Sequence, residues 1–165
     1  MERRMGTILA ALLLALALGL SPAVLAGERF IDNGDGTVTD TRLGLMWAAT
    51  DNHGDIDWSQ AFKWVQYTFP MTLPAQYGNW RLPKLAELHS LSEGDFGDGN
   101  EAECGQRLKL TPLIQLTCGW VWSADVDAVG PTAYVFNFDN VYHYSVRKAH
   151  RRGYRALAVR NLDGS

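Results

Sequence analysis

The sequence predicts an α+β domain of many short strands and two helices. Short β-like runs alternate with dense turn residues, and two segments show helical spacing behind cap signals. No repeat, low-complexity tract or linker divides residues 27–165, so one domain is expected there.

The elements follow in order. Phe30-Ile31, Thr37-Val38-Thr39 and Leu45-Met46-Trp47 are β-like runs. Asn33-Gly34-Asp35-Gly36 and residues 40–44 supply hairpin and turn chemistry between them. Residues 57–67 form the first predicted helix. Asp57 caps it, Gln60 takes a capping-box position, and Trp58, Ala61, Phe62 and Val65 recur at helical spacing. The second predicted helix covers residues 83–91, with Pro83 in its first turn and Leu85, Leu88 and Leu91 as an apolar stripe. His89 sits beside that stripe and reads as structural. An acidic loop spans residues 92–103. Trp120-Val121-Trp122-Ser123 and residues 133–138, 141–147 and 154–160 then read as four successive strands. Asp139-Asn140 makes a tight turn within this set, and residues 149–153 a longer basic one.

Residues 1–26 have the build of a secretory signal peptide: Arg3 and Arg4, an apolar run over 8–20, and Val24-Leu25-Ala26 at a cleavage site. The apolar run falls short of the roughly 20 residues a membrane span needs. Gly27-Glu28 follows where a lipoprotein would carry Cys. The expected product is a soluble exported protein, periplasmic or extracellular, with no lipid anchor and no membrane span. Losing Arg3, Arg4 and Glu2 moves the net charge from −3 to −4. In an oxidising compartment the two cysteines, Cys104 and Cys118, read as a disulfide. Closing a loop of about 15 residues is worth roughly 3 kcal/mol. A redox or metal pair fits less well, because the spacing is long and no His adjoins either Cys.

Charge is unevenly spread. Glu87, Glu93, Asp95, Asp98, Glu101 and Glu103 crowd one stretch, whereas Arg147, Lys148, Arg151, Arg152, Arg155 and Arg160 dominate the end. No carboxylate lies between Asn140 and Leu162. Such polarity implies one basic face.

Calcium spacing fails in the first turn. An EF-hand loop needs oxygen ligands at positions 1, 3 and 5 with Gly at 6. In each register of Asp32-Asn33-Gly34-Asp35-Gly36, Ile31 or a glycine falls on a ligand position. The stretch therefore reads as a hairpin turn. The loop carrying Asp95, Asp98 and Glu101 also fails the spacing and reads as solvated acid, with an irregular calcium site as its rival. No cofactor or metal is expected. His53, His89, His143 and His150 show no paired metal spacing, Ser123 lacks a hydrolase elbow, and no Gly-rich phosphate loop occurs. A catalytic residue is not expected.

The basic tail says more. Arg147, Lys148, His150, Arg151 and Arg152 form a dense cluster, and Arg155 follows it. Guanidinium forks match sulfate, phosphate and carboxylate geometry. Tyr142, Tyr144 and Tyr154 on the adjoining strands offer sugar-stacking faces. Two readings stand: an anion-binding surface, or a solvated turn that neutralises the chain's own acidic loop. No nucleic-acid partner is expected.

The runs Arg29-Phe30-Ile31-Asp32-Asn33-Gly34-Asp35-Gly36-Thr37-Val38-Thr39-Asp40 and Thr41-Arg42-Leu43-Gly44-Leu45-Met46-Trp47 resemble the opening of the Lcl C-terminal domain family. That family takes its name from a collagen-like adhesin of Legionella. Gly78-Asn79-Trp80-Arg81-Leu82-Pro83, with Glu87-Leu88 after it, resembles the family's central signature, and Ala158-Val159-Arg160 its close. The resemblance spans residues 28–161. It implies a C-type-lectin-like fold, with two helices packed on a twisted, mostly antiparallel sheet and a long loop region. It also implies an exported or surface-displayed, non-catalytic binding module, with sulfated glycosaminoglycans as one ligand class. Some relatives are diversified by retroelements in the segment matching residues 137–154.

Departures limit the transfer. Many relatives carry Cys in the first helix and last strand, where this chain has Trp64-Val65-Gln66-Tyr67 and Ala156-Leu157-Ala158. No collagen-like repeats occur in this sequence, so trimerisation is not carried over and the oligomeric state is left open. The Glu-Pro-Asn and Gln-Pro-Asp triplets of calcium-dependent lectins are missing. The formylglycine-generating enzymes share the implied fold but depend on reactive cysteines. The expected function is recognition of an anionic polysaccharide or glycan through Tyr142, Tyr144, Arg147, Lys148, His150, Arg151, Arg152, Tyr154 and Arg155. The alternatives are an envelope protein–protein assembly module and a retroelement-diversified ligand-binding protein.

Overall fold

The computed structural model describes residues 28–128 and 130–164. The signal peptide expected over residues 1–26 lies outside the described residues. The chain is α+β, with two four-stranded sheets, a two-stranded ladder and two short α-helices. Among the described residues no helix is long and apolar enough to cross a membrane.

The opening turn is a hairpin. Strands β1 (Phe30–Asp32) and β2 (Thr37–Asp40) pair antiparallel, with Asp32 opposite Val38. The turn between them spends its own polar groups. The Gly34 amide donates to the Asp32 carboxylate at 2.8 Å, and Asp35 accepts from the Thr37 amide at 3.0 Å. Tyr77 closes the other Asp35 oxygen at 2.7 Å. Gly36, at φ 87, takes a backbone conformation that an L side chain would strain. Strand β3 (Leu45–Ala48) is buried throughout, and Trp47 lies opposite Val38 on one side and Val159 on the other.

The first helix has a composite build. Asp57 caps it as expected, its carboxylate accepting from the Gln60 amide at 2.9 Å. The α-helical part, α1 (Trp58–Lys63), stops sooner than the apolar spacing suggests. The winding continues as a π-turn over Trp64–Thr68 and a 3₁₀-turn over Phe69–Thr72, with Pro70 in the first positions of that last turn. Helix α2 (Leu85–Leu91) starts two residues later than Pro83. Its cap is the Glu87 carboxylate, which accepts from the Lys84 amide at 2.7 Å.

The acidic loop carries a ladder that its composition hides: β4 (Asn100–Glu101) against β5 (Arg107–Leu108). The Cys104–Cys118 disulfide is formed, at a Cα–Cα distance of 5.4 Å, and closes the loop region.

Strands β6 (Trp120–Val126), β7 (Thr132–Asn137) and β8 (Tyr142–Arg147) form an antiparallel meander, as the turn signals indicate. The predicted strand over residues 154–160 needs correction. It divides into β9 (Tyr154–Arg155), which pairs parallel with β6, and β10 (Val159–Asn161), which pairs antiparallel with β3. The fully buried Ala156-Leu157-Ala158 segment crosses between the two sheets. Small side chains flank Leu157 there because both sheets close on the segment. The shared core includes Trp47, Leu82, Leu88, Leu91, Trp122, Phe136, Phe138 and Leu157.

Candidate functional site

The candidate site is built on β8, the edge strand of the second sheet, whose order is β8-β7-β6-β9. Residues directly opposite across a ladder share a face. Tyr142 lies opposite Asn137 and Trp120 in one row, and Tyr144 opposite Val135 and Trp122 in the next. These four aromatics therefore share one face, and Tyr154, opposite Trp120 across the parallel pair, joins them. Trp120 meets Tyr144 edge-on at 4.9 Å, and Trp122 meets Tyr154 at the same distance. Exposure rises along the face to Tyr142, which is 58% exposed.

The structure redistributes the residues singled out in the sequence. Tyr154 and Arg155 belong to the interior rather than to a ligand surface. Tyr154 is only 5% exposed, and its hydroxyl lies 2.8 Å from that of Tyr144. Burial, with the Tyr144 contact added, pushes its ionisation well above the ordinary tyrosine range. The Arg155 guanidinium donates to Thr117 Oγ1 at 2.7 Å and to the Asp55 carboxylate at 2.8 Å, with Asp51 3.9 Å away. The hydrogen bond from Arg155, with the Gly153 amide, holds Asp55 below the usual carboxylate range. A strand-end arginine with a carboxylate about a hundred residues away in sequence leaves no local trace.

The basic residues also fall into two groups. Arg147 lies opposite Thr132, on the face of β8 that Tyr142 and Tyr144 do not share. With Lys148 it lines a cleft of about 500 Å³ together with Asp57, Ser59, Pro131 and Ala149. Lys148 places its Nζ 4.7 Å from the centre of the Trp58 ring. His150, by contrast, meets Tyr154 edge-on at 5.8 Å, and Arg151 donates to the Asp55 carbonyl at 3.3 Å. His150 thus borders the aromatic face at Tyr154. Arg151 and Arg152 are exposed.

The second reading of the basic cluster, neutralisation by the acidic loop, finds no ion pair among the described residues. Glu93 instead pairs with Arg42 and lies near His89, and the hydrogen bond from Arg42 lowers its pKa. Arg147, Lys148, Arg151 and Arg152 form no ion pair among the described residues. Asp95, Asp98 and Glu101 do not converge: among the described residues no group of three His, Cys, Asp or Glu is placed to hold a metal.

Two features escaped sequence reasoning. Trp120 is part of the aromatic face, and the alternation of Trp120-Val121-Trp122 is the signal that assigns both tryptophans to one side. Val141 enters β8 with φ 55, a strained setting for a β-branched residue, and nothing local announces it. Elsewhere a cavity of about 520 Å³ lies over Leu108, Leu110 and Ile114, with His53, Glu101 and Glu103 among its lining residues.

The family model described as the Lcl C-terminal domain matches residues 36–160. No curated protein matches the chain.

Proposed function

Because the chain belongs to the Lcl C-terminal domain family, we propose that it is an exported, non-catalytic binding module that takes an anionic glycan on the aromatic face of β8. The domain is read as C-type-lectin-like, which the two short helices, the mostly antiparallel sheets and the disulfide-closed loop region support. The disulfide is also what supports an oxidising compartment.

One observation carries the reading. Tyr142, largely exposed, ends a row of aromatics that His150 meets at Tyr154, and the neighbouring Arg151 and Arg152 are exposed, with no ion pair engaging either arginine among the described residues. Aromatic rings offer the stacking surface that sugars use, and guanidinium forks without a carboxylate partner fit sulfate or carboxylate groups. The Arg147–Lys148 cleft on the other side of the strand offers a second anion contact to a chain long enough to pass over the edge.

Elution from immobilised heparin tests this. Binding should weaken steadily as salt rises. Replacing Arg151 and Arg152 by Ala should shift elution to lower salt, and Tyr142→Ala should weaken binding without altering the salt dependence. Retention independent of salt, or unchanged in both variants, would overturn the reading.

A further inference from the structure

Strand β8 ends its sheet, and this edge differs from the others. Strands β1 and β10, at the ends of the first sheet, have three residues each, and β9 has two. The β10 edge is also partly occupied, since Arg81 and Val159 exchange backbone hydrogen bonds at 2.9 and 3.0 Å. Strand β8 runs six residues, and it contains neither proline nor glycine. The register shift of this sheet lies between β6 and β7, so the β7–β8 ladder is regular across all six pairs. Alternate residues of an edge strand direct their N–H and C=O groups away from the sheet. Between Tyr142 and Val146 these groups have no hydrogen-bond partner outside the β7 ladder among the described residues.

The two faces of this edge differ in chemistry. Tyr142, Tyr144 and Val146 lie on one side and His143, Ser145 and Arg147 on the other. Lys148 continues the basic end, and the carboxylate that reaches this face, Asp127, is already engaged by the Thr132, Tyr134 and Ser145 hydroxyls. A strand laid along β8 inherits that alternation, because opposed residues share a face. Its apolar side chains would meet the tyrosines and Val146, and its acidic ones would meet His143 and Arg147.

We propose that the free edge of β8 binds an extended peptide segment of alternating acidic and apolar residues, added to the sheet as a fifth strand. Charge complementarity selects this occupant over a basic or neutral strand. The inference does not depend on glycan recognition.

The experiment uses the oxidised full domain and an end-capped peptide of about eight residues, alternating Glu with Val and Thr, enough to cover a strand of ordinary length. Two further peptides carry N-methyl groups on one or the other alternate set of amides, and a fourth has the same composition in blocks. Titration followed by calorimetry should show binding that weakens with rising salt. One N-methylated set should lose about tenfold or more in affinity while the other is tolerated, because only one set donates to β8. The block peptide should bind weakly, and alternate amides of residues 142–147 should gain protection from hydrogen exchange. Equal affinity for all four peptides would overturn the proposal, since it would mark simple ionic association. A domain that dimerises through β8 in sedimentation, and takes no peptide, would overturn it too. A heparin fragment titrated separately keeps the two readings apart. Heparin binding without the N-methyl asymmetry rejects strand addition alone, and the asymmetry without heparin binding rejects the glycan reading alone.

Discussion

The β1–β2 hairpin turn and the basic turn after β8 are both short, polar and rich in charge, yet their side chains do opposite work. In the first, Asp32 and Asp35 accept from Gly34, Thr37 and Tyr77. Asp40, at the end of the hairpin, is wholly buried and holds Arg29 by two hydrogen bonds of 3.1 and 2.8 Å while accepting from the Arg42 amide. In the second, Arg147 and Arg152 remain exposed, and the basic residues between them form no ion pair among the described residues. Charge density alone therefore does not mark a binding surface. What separates the two turns is whether the folded chain already satisfies the polar groups.

The largest expected effect lies in the satisfied region. Asp40→Ala removes the carboxylate that faces Arg29 in a largely buried place, leaving its bonds to Ser90 and the Glu93 carbonyl, and frees the Arg42 and Leu43 amides. Urea denaturation should show a loss of about 3–5 kcal/mol, and a loss below about 1 kcal/mol would erase the distinction between the turns. Next comes the loop region. Reducing the disulfide, or replacing both cysteines by Ser, should cost roughly 3 kcal/mol, read as a lower denaturation midpoint with the β8 surface otherwise intact.

The Asp55–Arg155 pair sits between the extremes. Hydrogen bonding lowers the Asp55 pKa in the folded state below its ordinary value of 3.8. Its contribution is therefore present at neutral pH and is lost as pH falls from about 4 through the folded value. Asp55→Asn should flatten that part of the acid limb, by less than about 1 kcal/mol because the carboxylate is 45% exposed. The smallest effect belongs to the free turn. Arg147, Arg151 and Arg152 replaced together by Ala should leave stability within about 0.5 kcal/mol in the same denaturation experiment. A larger loss would show that this turn, too, serves the fold.

Much of the architecture was legible because its causes are local. Asp57 declares a helix start through its own reach to the Gln60 amide, and Asn33-Gly34-Asp35-Gly36 declares a hairpin through its turn chemistry. The alternation over β6, β7 and β8 declares strands. The candidate site was legible only in part. Tyr142, His150, Arg151 and Arg152 are exposed and Tyr144 is half-buried, but Tyr154 and Arg155 look the same in sequence and are held inside. Their fate depends on Tyr144, Thr117, Asp51 and Asp55, which adjoin them only after the sheets assemble.

The residue order by itself determined the family, the α+β class, the hairpin, the start of the first helix and the pairing of Cys104 with Cys118. Spacing, caps and turn residues act over a few positions, and two cysteines allow one disulfide. Tertiary structure alone decided that residues 154–160 serve two sheets, that Arg147 and Tyr142 face opposite ways, and that β8 ends its sheet among the described residues. These depend on which strands become neighbours, and that choice is settled by burying one shared core around Trp47, Trp122 and Leu157. No short stretch of the chain contains that information.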